Sequence, residues 1–149
     1  MALTQVVRLA SKTGSRGDIV TYTGSDVAAN TEWSETVPAG KMWRIQSIRN
    51  TLVTDANVAN RRVCVTITDG TNVVFKTQSS SVQAASLTHA YNVTPIVGKD
   101  AADLEHVVPL PLTESFVLPA GYVIASSTLN KQATDNWGVP YFLVEEFSA

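Results

Sequence analysis

Val37-Pro38-Ala39-Gly40-Lys41-Met42-Trp43-Arg44-Ile45-Gln46-Ser47-Ile48-Arg49-Asn50-Thr51-Leu52-Val53 reads as a tight turn running into a long strand. Pro38 fixes its own φ, and Gly40 supplies the positive φ that a type II turn requires. The residues that follow are rich in Trp, Ile, Thr and Val, which suit a pleated, half-buried surface. Their apolar phase is odd at Trp43 and Ile45 but even at Ile48 and Leu52. Side chains alternate with period 2, so a strand changes face only through an extra residue. Either a β-bulge lies near Gln46 or Ser47, or both faces of the strand are covered. A second copy of the entry follows about eighty residues later, in Leu118-Pro119-Ala120-Gly121-Tyr122-Val123-Ile124.

The same strand-and-turn grammar extends outward. Arg61 to Thr68 alternates cleanly, with Val63, Val65 and Ile67 on one side and Arg62, Thr66 and Thr68 on the other. Asp69-Gly70 then predicts a hairpin into Val73–Thr77. Further strands are expected at Ile19–Tyr22, Thr31–Val37, Ser115–Leu118, Tyr122–Thr128 and Val139–Phe147. The last is apolar on both faces, which makes it either central in its sheet or sealed by another subunit. Residues 1–14 hold one alternating run, a first strand or an N-terminal arm that docks on a neighbour. Residues 78–112 form a long irregular segment: Val82–Leu87 suggests a helical turn or two, His89–Val93 a strand, and Asp100–Glu105 a capped turn, while the prolines keep Val107–Leu112 extended. An irregular segment of about 35 residues inside a compact domain is often functional, so the contact surface is expected there. The fold class expected is all-β: one antiparallel β-sandwich over 1–149, jelly-roll-like, with eight or nine strands and little helix.

Composition narrows the function. At 149 residues one domain buries roughly 68–70% of its unfolded surface. Charged residues are only 16% of the chain, against roughly 25% in soluble domains generally. Such a surface suits a protein packed against others, and equally a stable β-protein. A net charge of −2 argues against nucleic-acid binding, which requires clustered cations. Cys64 is the single cysteine, so no intrachain disulfide or cysteine zinc site is expected, and between Val63 and Val65 it reads as a partly buried structural thiol. No apolar run approaches the roughly 20 residues of a membrane span, and no secretory leader opens the sequence, from which synthesis in a cytoplasm is expected.

No catalytic constellation, cofactor motif or metal-ligand spacing emerges. His89 and His106 lack partners at ligand spacing, and Glu145-Glu146 are adjacent strand residues that point to opposite faces. Asp100, Asp103 and Glu105 lack the alternation of an oxygen cage and read as surface charges. Arg16-Gly17-Asp18 matches an integrin-binding tripeptide, too short to carry a function alone. The most suggestive charges are Arg44, Arg49, Arg61 and Arg62, on or beside two strands expected to be neighbours, with the acids concentrated elsewhere. Complementary patches of this kind set the register of one subunit on another; the alternative is scattered solubility charges.

Val37–Ile45, Asn60-Arg61-Arg62-Val63, the Thr68-Asp69-Gly70 hairpin and Leu118–Gly121 together resemble small β-sandwich virion proteins of tailed bacteriophages, most closely head-decoration (cement) proteins. The resemblance covers roughly residues 37–77 and 115–128. It implies a homotrimeric subunit on the outer capsid surface of the virion, at local three-fold positions, bridging major capsid protein subunits against internal DNA pressure. On that reading the arm and the 78–112 segment order on the capsid or on sister subunits, burying Leu3, Val107 and Leu110, with Arg44, Arg49, Arg61 and Arg62 at the interface. The rival is a tail, fibre or baseplate module that binds carbohydrate, whose expected mark is exposed aromatics; Trp33, Trp137 and Tyr141 are candidates, and all three are as easily core.

Overall fold

The computed structural model describes residues 4–9, 17–95, 107–113 and 116–149. Twelve strands are present among them: β1 Thr4–Leu9, β2 Asp18–Thr23, β3 Ser34–Thr36, β4 Lys41–Val53, β5 Arg62–Thr68, β6 Val73–Gln78, β7 Thr88–Thr94, β8 Val107–Pro111, β9 Val117–Leu118, β10 Val123–Leu129, β11 Asn136–Trp137 and β12 Tyr141–Ser148. No helix occurs among the described residues. The count exceeds the expected eight or nine because β8, expected only as an extended run, and β11, too short at two residues to display a period, are strands as well.

The larger sheet runs β1-β2-β12-β4-β7-β8, with β9 and β11 also on β4; the smaller runs β3-β10-β5-β6. The eight principal strands thus form two four-stranded layers, β2-β12-β4-β7 and β3-β10-β5-β6. The chain crosses between layers at every step from β2 to β12 except the β5–β6 hairpin and the accessory strands. That is the two-sheet jelly roll. One pair departs from the antiparallel expectation, since β7 and β8 run parallel. β12 is central, paired with β2 on one side and β4 on the other, which accounts for its two apolar faces. Residues 4–9, expected as a strand or an arm, are a strand on β2.

The bulge in β4 is real. Leu143 opposes Ser47 while Val144 opposes Ile45, leaving Gln46 as the extra residue. Trp43 and Ile45 are buried before it and Ile48, Asn50 and Leu52 after it. The shift lets a 13-residue strand keep its apolar side on one core throughout. Facing side chains from the smaller sheet, Val63, Val65, Ile67 and Ile124, complete that core. The hairpin closes as expected, with Asp69 Oδ1 accepting from Thr71 N at 2.9 Å and Asn72 N at 2.7 Å.

The two Pro-Ala-Gly turns are neighbours in space as well as in style. Each closes by an i to i+3 bond, Lys41 N to Pro38 O and Tyr122 N to Pro119 O, both 3.2 Å. Val37 N donates to Tyr122 O at 2.9 Å, and Gly121 N to Val37 O at 3.0 Å. Gly40 and Gly121 have φ of +72° and +87°, and an added Cβ would meet nothing within 4 Å at either. Backbone strain is therefore the sole cost of a side chain there. Gly40→Ala and Gly121→Ala are each expected to lower stability by about 1–2 kcal/mol, read as a drop in urea midpoint with unchanged slope.

One expectation for the irregular segment changes. Val82–Leu87 forms no helical turn: Gln83 makes an antiparallel bridge with Arg61, and Ser86 adopts a φ of +56°. Residues 88–94 and 107–111 are strands whose Tyr91, Val93, Val108 and Leu110 enter the core. The Asp100–Glu105 turn lies outside the described residues.

Candidate binding surface

Most of the charges singled out in the sequence serve the interior of the chain. Arg61 is fully buried. Its Nε and Nη2 donate to the two carboxylate oxygens of Asp135, each at 2.9 Å. Nη2 also reaches Asp55 Oδ1 at 2.5 Å, and Nη1 reaches the carbonyls of Asn57 and Ala59 at 2.8 and 3.0 Å. Burial pushes the Asp135 carboxyl up, but hydrogen bonds from Arg61 and the backbone N–H groups of Gln132 and Asp55 outweigh it and hold the group below its usual value. Arg44 pairs with Glu145 at 2.8 Å and lies 5.4 Å over the Phe147 ring. Arg62 is half-buried, on the smaller sheet. The four arginines therefore form no common patch, because β4 and β5 belong to different layers and Arg61 turns inward. Leu110 is fully buried and Val107 is half-buried at the sheet edge; Leu3 and His106 lie outside the described residues.

The acids are likewise fasteners. Glu146 accepts from Trp43 Nε1 at 3.2 Å, from Lys41 Nζ at 2.7 Å and from the Tyr22 hydroxyl. Glu145 points the other way, to Arg44 and the N–H of Gly17, as adjacent strand residues must. Gly17 and Asp18 of the tripeptide are built into this edge: a Cβ on Gly17 would sit 2.5 Å from the Glu146 carbonyl. Glu32 accepts from Trp137 Nε1 at 2.9 Å and pairs with Lys131 at 2.8 Å. Glu35 is buried with its Oε1 on Ser25 N at 3.0 Å, and burial pushes its carboxyl up. Cys64 is fully buried, more than expected, and burial raises its thiol pKa. Among the described residues no group of three or more His, Cys, Asp or Glu is placed to hold a metal ion.

Of the aromatic candidates, Trp33 and Trp137 belong to the core. Trp33 meets Phe142 edge-on at 5.8 Å, and Trp137 meets Tyr91 at 5.7 Å. Tyr141 is different, at 57% exposed. It stands on the outer face of the larger sheet, because Phe142 and Val144 take the inner face of β12. Thr23 on one side and Arg49 on the other directly oppose it, and Asn92 follows beside Arg49. The next row on this face is Thr21, Leu143 and Ser47.

Two hollows flank this row. One, of about 330 Å³, is lined by Thr21, Thr23, Ser47, Arg49, Tyr141 and Leu143, with Tyr22 and Phe142 beneath. The other, of about 430 Å³, is lined by Arg49, Asn50, Thr51, Val139 and Tyr141. Arg49 and Tyr141 line both, so the pair stands between the two hollows. Arg49 and Tyr141 were named from sequence for separate reasons and are brought together by strand register. Thr21, Thr23 and Ser47 were missed; their one signal is the polar residues at successive outward positions, Thr21 and Thr23 in β2 and Ser47, Arg49 and Thr51 in β4.

No protein-family model matches the chain, and no curated protein does. A solved structure of a carbohydrate-binding module in complex with beta-1,4-galactotriose aligns with 93% of this chain and 74% of its own, at 9% identity and a TM-score of 0.26. A similarity that slight bears on neither fold nor function.

Proposed function

We propose that this chain is a non-enzymatic structural protein of a tailed-bacteriophage virion, which decorates and stabilises the outer capsid by bridging major capsid protein subunits as a homotrimer. The observation that carries the reading is the complete jelly roll entered through paired Pro-Ala-Gly turns, a scaffold used by viral capsid and lectin domains. The sequence resemblance rests on the same turns. The internal commitment of Glu32, Asp135, Glu145 and Glu146 also supports a self-sufficient module whose work lies on its surface. Symmetric association then multiplies individually weak capsid contacts.

Copy number in purified virions, by quantitative mass spectrometry against the major capsid protein, tests this. Near-stoichiometric amounts are expected, with a solution mass three times 16.0 kDa. Absence from the particle overturns the proposal. A handful of copies favours the second reading, a carbohydrate-holding tail, fibre or baseplate module. The exposed Tyr141 beside Arg49 is the observation in favour of that reading.

A further inference from the structure

We propose that the outer face of the larger sheet is a cleft for a carboxylate-bearing oligosaccharide, with Tyr141 as the stacking platform and Arg49 donating hydrogen bonds to the carboxylate. The assignment deepens the carbohydrate-holding reading and rests on it.

Size comes first. The hollows, about 330 and 430 Å³, fall at the small end of the roughly 300–1,000 Å³ typical of small-ligand sites. A protein partner would instead bury a broad, level area of about 800 Å² on each side. Two hollows, one on either side of the same tyrosine, suit a short chain of rings laid over it, one ring to each side.

Surface chemistry agrees. A sugar ring has an apolar C–H face and a rim of hydroxyls. Tyr141 supplies a rigid ring with a polar tip, Leu143 an apolar floor, and Thr21, Thr23 and Ser47 hydroxyls at the margin.

Charge selects the kind of sugar. Lys41, Arg44, Arg61 and Lys131 each have a carboxylate partner within the chain. Arg49 is exposed and, among the described residues, has none. A guanidinium fork matches a carboxylate bidentately, and beside an aromatic platform this points to a uronate or sialate rather than a neutral sugar.

The test is calorimetric titration of the full chain with sialyllactose and trigalacturonate, and with lactose and cellotriose as neutral counterparts. Binding of at least one acidic glycan is expected, weakening with salt. Arg49→Gln should lower its affinity by about 10- to 100-fold, and Tyr141→Ala should abolish it. Both positions are exposed, so the melting temperatures should stay near wild type, which separates lost contacts from lost folding. Acidic-glycan binding that survives Tyr141→Ala overturns this cleft while leaving the carbohydrate reading in place. Equal affinity for neutral counterparts overturns the role of Arg49. No binding to any of the four overturns the proposal.

Discussion

Arg61→Ala is expected to cost about 3–5 kcal/mol of folding stability, the usual loss when one partner of a buried ion pair is removed. For a domain of this size the whole margin is on the order of 5–15 kcal/mol. Removing the guanidinium strands the fully buried Asp135 carboxylate and frees the carbonyls of Asn57 and Ala59. It also loosens one end of the sandwich, where Arg61 and Gln83 exchange backbone bonds of 3.0 and 2.8 Å and Gln83 in turn holds Leu52 O, Leu87 O and the Tyr91 hydroxyl. Arg61→Lys should recover little, because an ammonium cannot reproduce the two-pronged bond to Asp135.

The dependence on pH has a definite sign. Asp135 is held below its usual value of 3.8 in the folded chain. Its contribution is therefore fully present above about pH 4 and is lost as pH falls through the folded value. In the alanine variant burial acts without the compensating guanidinium and pushes the same carboxyl up. The gap between wild type and Arg61→Ala should thus be widest near neutrality and close as the solution is acidified. Urea titrations from pH 7 to pH 2 measure it; a gap independent of pH would mean that Asp135 is not the group left stranded.

Arg61 also marks where sequence reading stops. The jelly roll was legible because its signals are local. Gly40 and Gly121 announce their turns, Asp69-Gly70 announces a hairpin, and the phase change between Ile45 and Ile48 announces the bulge at Gln46. Partners distant in sequence were not legible. Arg61 and Asp135 are 74 residues apart, and nothing in either neighbourhood says that one will bury the other. The same blindness left Trp33 and Trp137 open between surface and core, since an isolated aromatic in a short strand has no visible phase. β7 was read as a strand and β8 as an extended run, but the core role of Tyr91, Val93, Val108 and Leu110 was hidden by the polar spacers and prolines around them. The outer-face cleft stood half in view: Arg49 and Tyr141 drew notice singly, but only the register of β4 against β12 makes them a pair.

Trp43→Ala is expected to be as damaging, at about 3–5 kcal/mol. Trp43 is fully buried, stacked at a tilt 4.8 Å from the Tyr22 ring and 6.3 Å from Phe142. It is the first inward side chain after the Pro38–Gly40 turn and joins β4 to β2 and β12 at once. Truncation leaves a cavity among three strands that are hydrogen-bonded to one another and so cannot close over it. It also removes the Nε1 donor from Glu146. Trp43→Phe separates the two losses, because the ring packing is largely kept while the donor is gone; about 1–2 kcal/mol is expected from that hydrogen bond. Both are read from urea midpoints at constant slope. Tyr22 and Phe142 lie beneath the larger sheet's outer hollow as well as against Trp43. Alanine at 43 should therefore weaken glycan binding together with stability, whereas Arg49→Gln should weaken binding alone. If Trp43→Ala left binding at full strength while lowering the urea midpoint, the floor of the cleft would not depend on the core beneath it, and the contribution of Tyr22 and Phe142 to its shape would have to be given up.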